Sequence, residues 1–109
     1  MARFGMLGKL VTHPGRREEL VELLMDTTKH LAGADGSELY LVSRAVDDPD
    51  AVWVVEVWRD EAAHRASLET PEVRAAIERG MPLIARTDGV KLDPVGGLGL
   101  GWAKVTNSG

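Results

Sequence analysis

The stretch AVWVVEVW, Ala51 to Trp58, constrains this chain more than any other: two tryptophans and four valines, interrupted by the single carboxylate of Glu56. A strand with one wet face alternates apolar and polar residues. This one is apolar on both sides, so both of its faces must be covered.

The flanking segments supply a cover for one face. Ala2 to Thr12 reads as a strand that ends at the turn signal His13-Pro14-Gly15. From Arg16, apolar residues at Leu20, Val21, Leu23, Leu24 and Leu31, with Thr27 between, follow the spacing of one helical face. AGADGS, Ala32 to Ser37, stops that helix. Ser37 to Val46 is a second strand, and DDPD, Asp47 to Asp50, turns it into a hairpin with Ala51–Trp58. Asp60 caps a short helix through His64. Thr70-Pro71-Glu72 starts another, whose inner face is Val73, Ala76, Ile77 and Met81, interrupted by Gly80 and Pro82. Thr87 to Val95 is the expected last strand.

The order is β-α-β-β-α-β, an α+β, ferredoxin-like arrangement: an antiparallel sheet with both helices on one face. Residues 1–95 form one domain, and 96–109 are a Gly-rich C-terminal tail around Trp102. GLGLG in that tail is not a dinucleotide fingerprint, because no helix follows it to receive a pyrophosphate. Since the helices cover only one face, the other face of the Ala51–Trp58 strand is expected to meet a second copy of the chain, giving a homodimer.

Composition narrows the function classes. Thirteen Lys+Arg against seventeen Asp+Glu leave a formal charge of -4, which argues against nucleic acid or an anionic membrane surface as partner. The absence of cysteine excludes disulfides and thiolate chemistry. No run approaches the ~20 apolar residues of a membrane span, and the N-terminus reads as a strand rather than a signal peptide, so the cytoplasm is the expected compartment. His13, His30 and His64 are isolated from one another and from carboxylates at ligand spacing, so no metal site is expected.

Candidate acid/base groups are His64 and Glu56. His64 sits just past the strand, where it is either the proton acceptor of a cleft or a surface histidine between charged neighbours. Glu56 is either an unpaired base or the buried partner of Lys9, Arg44 or Arg86. Trp58 shares its strand face and is either a wall for an aromatic substrate or a core residue under the second helix. Tyr40 is a hydroxyl aimed at a ligand or a packing residue. Arg86 is an anion anchor or a helix cap. Gly8 either opens room beside Trp58 or marks a bend.

DDPDAVWVVEVWRDEAAHRASLETPEVRAAI, Asp47 to Ile77, framed by the β-α-β-β-α-β order over residues 2 to 95, resembles the antibiotic biosynthesis monooxygenase (ABM) family, which includes quinol oxygenases. The resemblance rests on Glu56-x-Trp58, the following Asp-Glu-Ala and then Thr-Pro. It implies a dimeric α+β barrel and a cofactor-independent monooxygenase acting with O2 on a small quinol or polyphenolic aromatic. Catalysis then falls to His64 and Glu56, and substrate binding to Trp58, Tyr40, Arg86 and Gly8. Many members carry a second histidine where this chain has Ser67. Haem-degrading relatives use a first-strand Asn, the strand Trp and a helix His; those positions fall here on Gly8, Trp58 and Ile77, and an isoleucine cannot ligate iron. Neither an organic cofactor nor a metal is expected. Two other readings stay open on the same fold: an isomerase or other non-oxidative enzyme, and a non-catalytic dimeric ligand-binding or stress protein.

Overall fold

The Ala51–Trp58 strand lies inside the sheet, as its two-sided apolarity requires. The computed structural model describes residues 3–99. In chain order they form β1 (Phe4–Thr12), α1 (Arg17–Leu31), β2 (Ser37–Arg44), β3 (Ala51–Trp58), α2 (Glu61–Ser67), α3 (Pro71–Gly80) and, after a 3-10 turn at Met81–Leu83, β4 (Ile84–Leu92). The four strands are antiparallel in the order β2-β3-β1-β4. With the helices on one face, this is the ferredoxin-like α+β fold.

The register sorts the residues into rows. On the helix face, Tyr40, Glu56, Met6 and Lys91 stand side by side across the four strands. The next row is Val42, Val54, Gly8 and Gly89, and the one after it Arg44, Val52, Leu10 and Thr87. Beyond Glu56, Trp58 pairs with Phe4 at the end where α2 begins. Two apolar clusters fill the space beneath the helices: Phe4, Leu31, Trp58, Ala63 and Val73 at one end, and Leu20, Val52, Val54 and Leu83 at the other.

Local chemistry fixes the helix starts. Asp60 Oδ1 accepts the Ala63 N–H at 2.8 Å, and Thr70 Oγ1 accepts that of Val73 at 3.4 Å, with Pro71 in the first turn. Gly36 makes the turn out of α1 with φ +85°, its amide group held where Arg59 N–H donates to its carbonyl at 2.7 Å. The last strand departs from the sequence expectation. It starts at Ile84, three residues before Thr87, because Pro82 is absorbed into the 3-10 turn and β1 offers pairing partners as far back as Thr12. Trp102 and most of the tail lie outside the described residues. Among the described residues, no helix is long and apolar enough to cross a membrane.

Candidate functional site

Between α1, α3 and the sheet lies a cavity of about 310 Å³. Its walls are mostly aliphatic: Leu20, Leu23, Leu24 and Leu31 from α1, Val73, Ala76 and Ile77 from α3, and Leu10 from β1. Leu68, Ile77 and Met81 are exposed while lining it, and give its mouth an apolar lip. Tyr40, Glu56 and His64 bring the chemistry, with Thr27, Ser67 and Thr87 as the other polar contributors.

The strand and helix periods explain how Glu56 and His64 meet. Glu56 points to the helix face, and α2 begins at the Asp60 cap two residues after β3 ends, which swings His64 back over the same end of the sheet. His64 Nε2 lies 3.7 Å from Glu56 Oε1, with side-chain exposures of 13% and 19%. The imidazole is seated by aromatic contacts: its ring is 5.0 Å from that of Phe4, tilted 33°, and 5.7 Å from that of Trp58, edge on. Trp58 Nε1 donates to Glu56 Oε1 at 3.0 Å. The carboxylate is thereby aimed from below and kept open to the cavity on its other side.

Tyr40 stands directly opposite Glu56 in the β2–β3 register. Burial first, and then the negative charge of Glu56, push its hydroxyl well above the ordinary tyrosine range. It is a proton-bearing donor across the physiological range. Ser67 is buried, and its Oγ donates to the His64 carbonyl at 2.6 Å.

Of the six residues singled out in the sequence, Tyr40, Glu56 and His64 meet in this cavity, and Trp58, Arg86 and Gly8 do not line it. Trp58 is only 1% exposed and does not line the cavity; the helices bury it, and it acts on the site through its hydrogen bond to Glu56 rather than as a substrate wall. Arg86 is exposed on β4, opposite Val11, on the face away from the helices, so it cannot anchor a ligand in this cavity. The β1–β4 register sets its face: Thr87, opposite Leu10, points in and Arg86, opposite Val11, points out. The expected basic partner of Glu56 is also corrected. Lys9 lies 5.5 Å over the Trp53 ring on the opposite face, and Arg44 donates to Glu18 at 2.9 and 2.6 Å. Indole and imidazole take the place of a cation beside Glu56. Gly8 lines a neighbouring cavity instead. Among the described residues no cluster of His, Asp or Glu could hold a metal ion.

Sequence reasoning missed the aliphatic α1 wall as a ligand surface, together with Thr87 and Gly89. Leu23 and Leu24 carried the ordinary signature of core residues. Gly89 falls inside the expected last strand, Thr87 to Val95, and one strand alone does not show which residue it faces.

The comparisons agree with this architecture. The family model for antibiotic biosynthesis monooxygenase matches residues 3–79. A provisionally assigned antibiotic biosynthesis monooxygenase from Chloroflexus aurantiacus J-10-fl is 38% identical in sequence, with a TM-score of 0.84 over 91% of this chain and 99% of its own. Counterparts from Caulobacter crescentus CB15 (22% identity, TM-score 0.80, 86% of this chain and 91% of that one) and Nitrosomonas europaea (14%, 0.82, 85% and 90%) share the fold. No curated protein matches the sequence. With its fold, its Glu56–Trp58–His64 constellation and a family match across most of the domain in accord, the chain belongs to the antibiotic biosynthesis monooxygenase family.

Proposed function

We propose that this protein is a cofactor-independent monooxygenase that oxidises a small quinol or polyphenolic aromatic with O2, working as a cytoplasmic homodimer. The observation that carries the reading is the Glu56–His64 pair, 3.7 Å apart on the wall of an otherwise apolar cavity with the Tyr40 hydroxyl opposite.

An apolar cavity strips water from a phenolic ring and leaves few groups to compete for its hydroxyl. A substrate oxygen can approach both the imidazole nitrogen and the carboxylate oxygen at hydrogen-bond distance, about 2.8 Å. His64 takes the hydroxyl proton, and Glu56 stabilises the imidazolium that forms. Tyr40, kept protonated, donates to the developing oxyanion. The electron-rich anion then reacts with O2: a ring carbon gains one oxygen atom, the quinol reaches the quinone level, and the second oxygen leaves as water. The substrate supplies all four electrons, so the reaction needs no further reductant.

O2 consumption with a panel of benzene- and naphthalene-diols tests the reading. The expected result is uptake well above buffer that falls about 10²-fold or more in His64→Gln. Uptake equal to buffer for every quinol overturns it. Turnover of a substrate under argon would instead favour a non-oxidative enzyme, which the same base and donor also suit.

A further inference from the structure

A second cavity, about 470 Å³, adjoins the first and shares Leu10, Tyr40, Glu56 and Thr87 with it. Its floor is made of two glycines. Gly8 of β1 and Gly89 of β4 are directly opposed in the register, so half of one helix-face row carries no side chain at all. The row on one side presents Met6 and Lys91 and the row on the other Leu10 and Thr87, which makes the bare patch a trough between walls.

Glycine weakens a strand interior, so two in register call for a reason. Conformation is not the reason, since neither residue has a positive φ. Nor is crowding. A Cβ on Gly8 would meet nothing within 4 Å, and one on Gly89 would lie at ordinary contact distance, 3.5 Å, from the Leu7 carbonyl. Elsewhere the chain shows what a structurally required glycine looks like: a Cβ on Gly5 would lie 3.1 Å from both Leu92 and Pro94, and one on Gly36 2.7 Å from Ala63. What the Gly8–Gly89 pair provides is empty space beside Glu56 and Tyr40.

From this we infer that the site is two-lobed and takes a two-ring phenol, with the quinol ring in the apolar lobe and a second flat ring lying on the peptide planes of Gly8 and Gly89. The inference rests on the reading of the principal cavity as the substrate site, and it names the substrate class. Size supports it: an apolar cavity of about 150 Å³ holds one benzene, so a lone ring leaves the second lobe unfilled. The polar edge of the lobe is Thr87, Asp88 and Lys91, the last paired with Glu61 at 3.0 Å, and it suits hydroxyl substituents on the ring. Glu56 and Tyr40, common to both lobes, stand at the joint, where the reacting hydroxyl belongs.

The test is titration calorimetry under argon with hydroquinone as the one-ring probe and 2,5-dihydroxybiphenyl as the two-ring probe. The wild-type protein is expected to bind the biphenyl at least tenfold more tightly. Gly8→Val, whose side chain enters open space and suits a strand, is expected to weaken biphenyl binding tenfold or more while changing hydroquinone affinity less than twofold. Gly89→Ala, an independent variant on the opposing strand, is expected to give a smaller loss of the same selectivity. No binding of the biphenyl, no preference in the wild type, or an equal effect of Gly8→Val on both probes overturns the inference. Argon separates it from the oxygenase reading: selective binding without O2 uptake keeps the two lobes and sinks the oxygenase, whereas one- and two-ring turnover that Gly8→Val leaves unchanged does the reverse.

Discussion

At the scale of single residues, the site depends on how Glu56 is surrounded. A carboxylate with a cation beside it would be locked in a salt bridge; here the Trp58 N–H at 3.0 Å and His64 at 3.7 Å both meet Oε1, and the carboxylate still lines the cavity. Its charge also acts on Tyr40, whose hydroxyl burial and Glu56 together hold protonated. Because Tyr40 is the chain's one tyrosine, phenolate absorbance at 295 nm reports it alone. The native pKa is raised, so below pH of about 10, the ordinary value, native and unfolded chains both hold the proton and the stabilisation is complete. Above it the unfolded chain ionises first, and stability falls as pH rises. The expected titration stays flat past pH of about 10 while the far-ultraviolet circular dichroism is native, then rises with unfolding, and Tyr40→Phe removes the alkaline loss of stability. A phenol half-ionised near pH 10 in a fully folded protein would refute this account.

At the scale of elements, the turns decide which side chains meet. Gly36 ends the α1–β2 connection in the left-handed region, and Ala63 of α2 packs where its Cβ would be. Gly36→Ala therefore combines backbone strain with a clash beneath the helix that carries His64. A loss of about 1–3 kcal/mol is expected in urea unfolding, whereas Gly8→Ala, with open space around it, should change stability far less; equal losses for the two would show that the space around Gly8 is not empty. The same elements show what the sequence disclosed. Caps at Asp60 and Thr70, the hairpin at Asp47–Asp50 and the two-sided β3 were all legible, since each is set by neighbours in sequence. The side of Arg86 was not legible because it comes from the β1–β4 register, and of the two readings of Trp58 only the docking of the helices selects the core one, while Glu56, two residues before it, lines the cavity. The Gly8–Gly89 trough was half visible, since one strand alone cannot reveal a register.

At the scale of the whole molecule, the face away from the helices is what a monomer leaves unexplained. Leu41, Val55, Leu7 and Val90 form an apolar row across all four strands, and Leu41 and Val90 are about half exposed, at 51% and 49%. The neighbouring row adds Leu39, Val57 and Leu92. Pro94 folds back over Gly5 and covers one corner. The row of Leu41, Val55, Leu7 and Val90 is an apolar band bordered by Ser43, Trp53, Lys9 and Asp88; exposed apolar surface of this kind marks an interaction site, and a second copy, packed sheet to sheet, is the occupant the proposed homodimer requires. Because Tyr40 and Glu56 are neighbours of Leu41 and Val55 in sequence but point to the other face, the interface and the cavity can be altered separately. Leu41→Lys combined with Val55→Lys places two charges on the β2–β3 half of the row without entering the cavity. Sedimentation equilibrium is expected to give twice the 11.8 kDa chain mass for the wild type and the single-chain mass for the double variant, with native circular dichroism in both. Biphenyl affinity in the monomeric variant should stay within a few-fold of the wild type, since every residue assigned to the two lobes comes from one chain. A wild-type protein that sediments at 11.8 kDa would sink the homodimer and leave the apolar row to be explained by another partner.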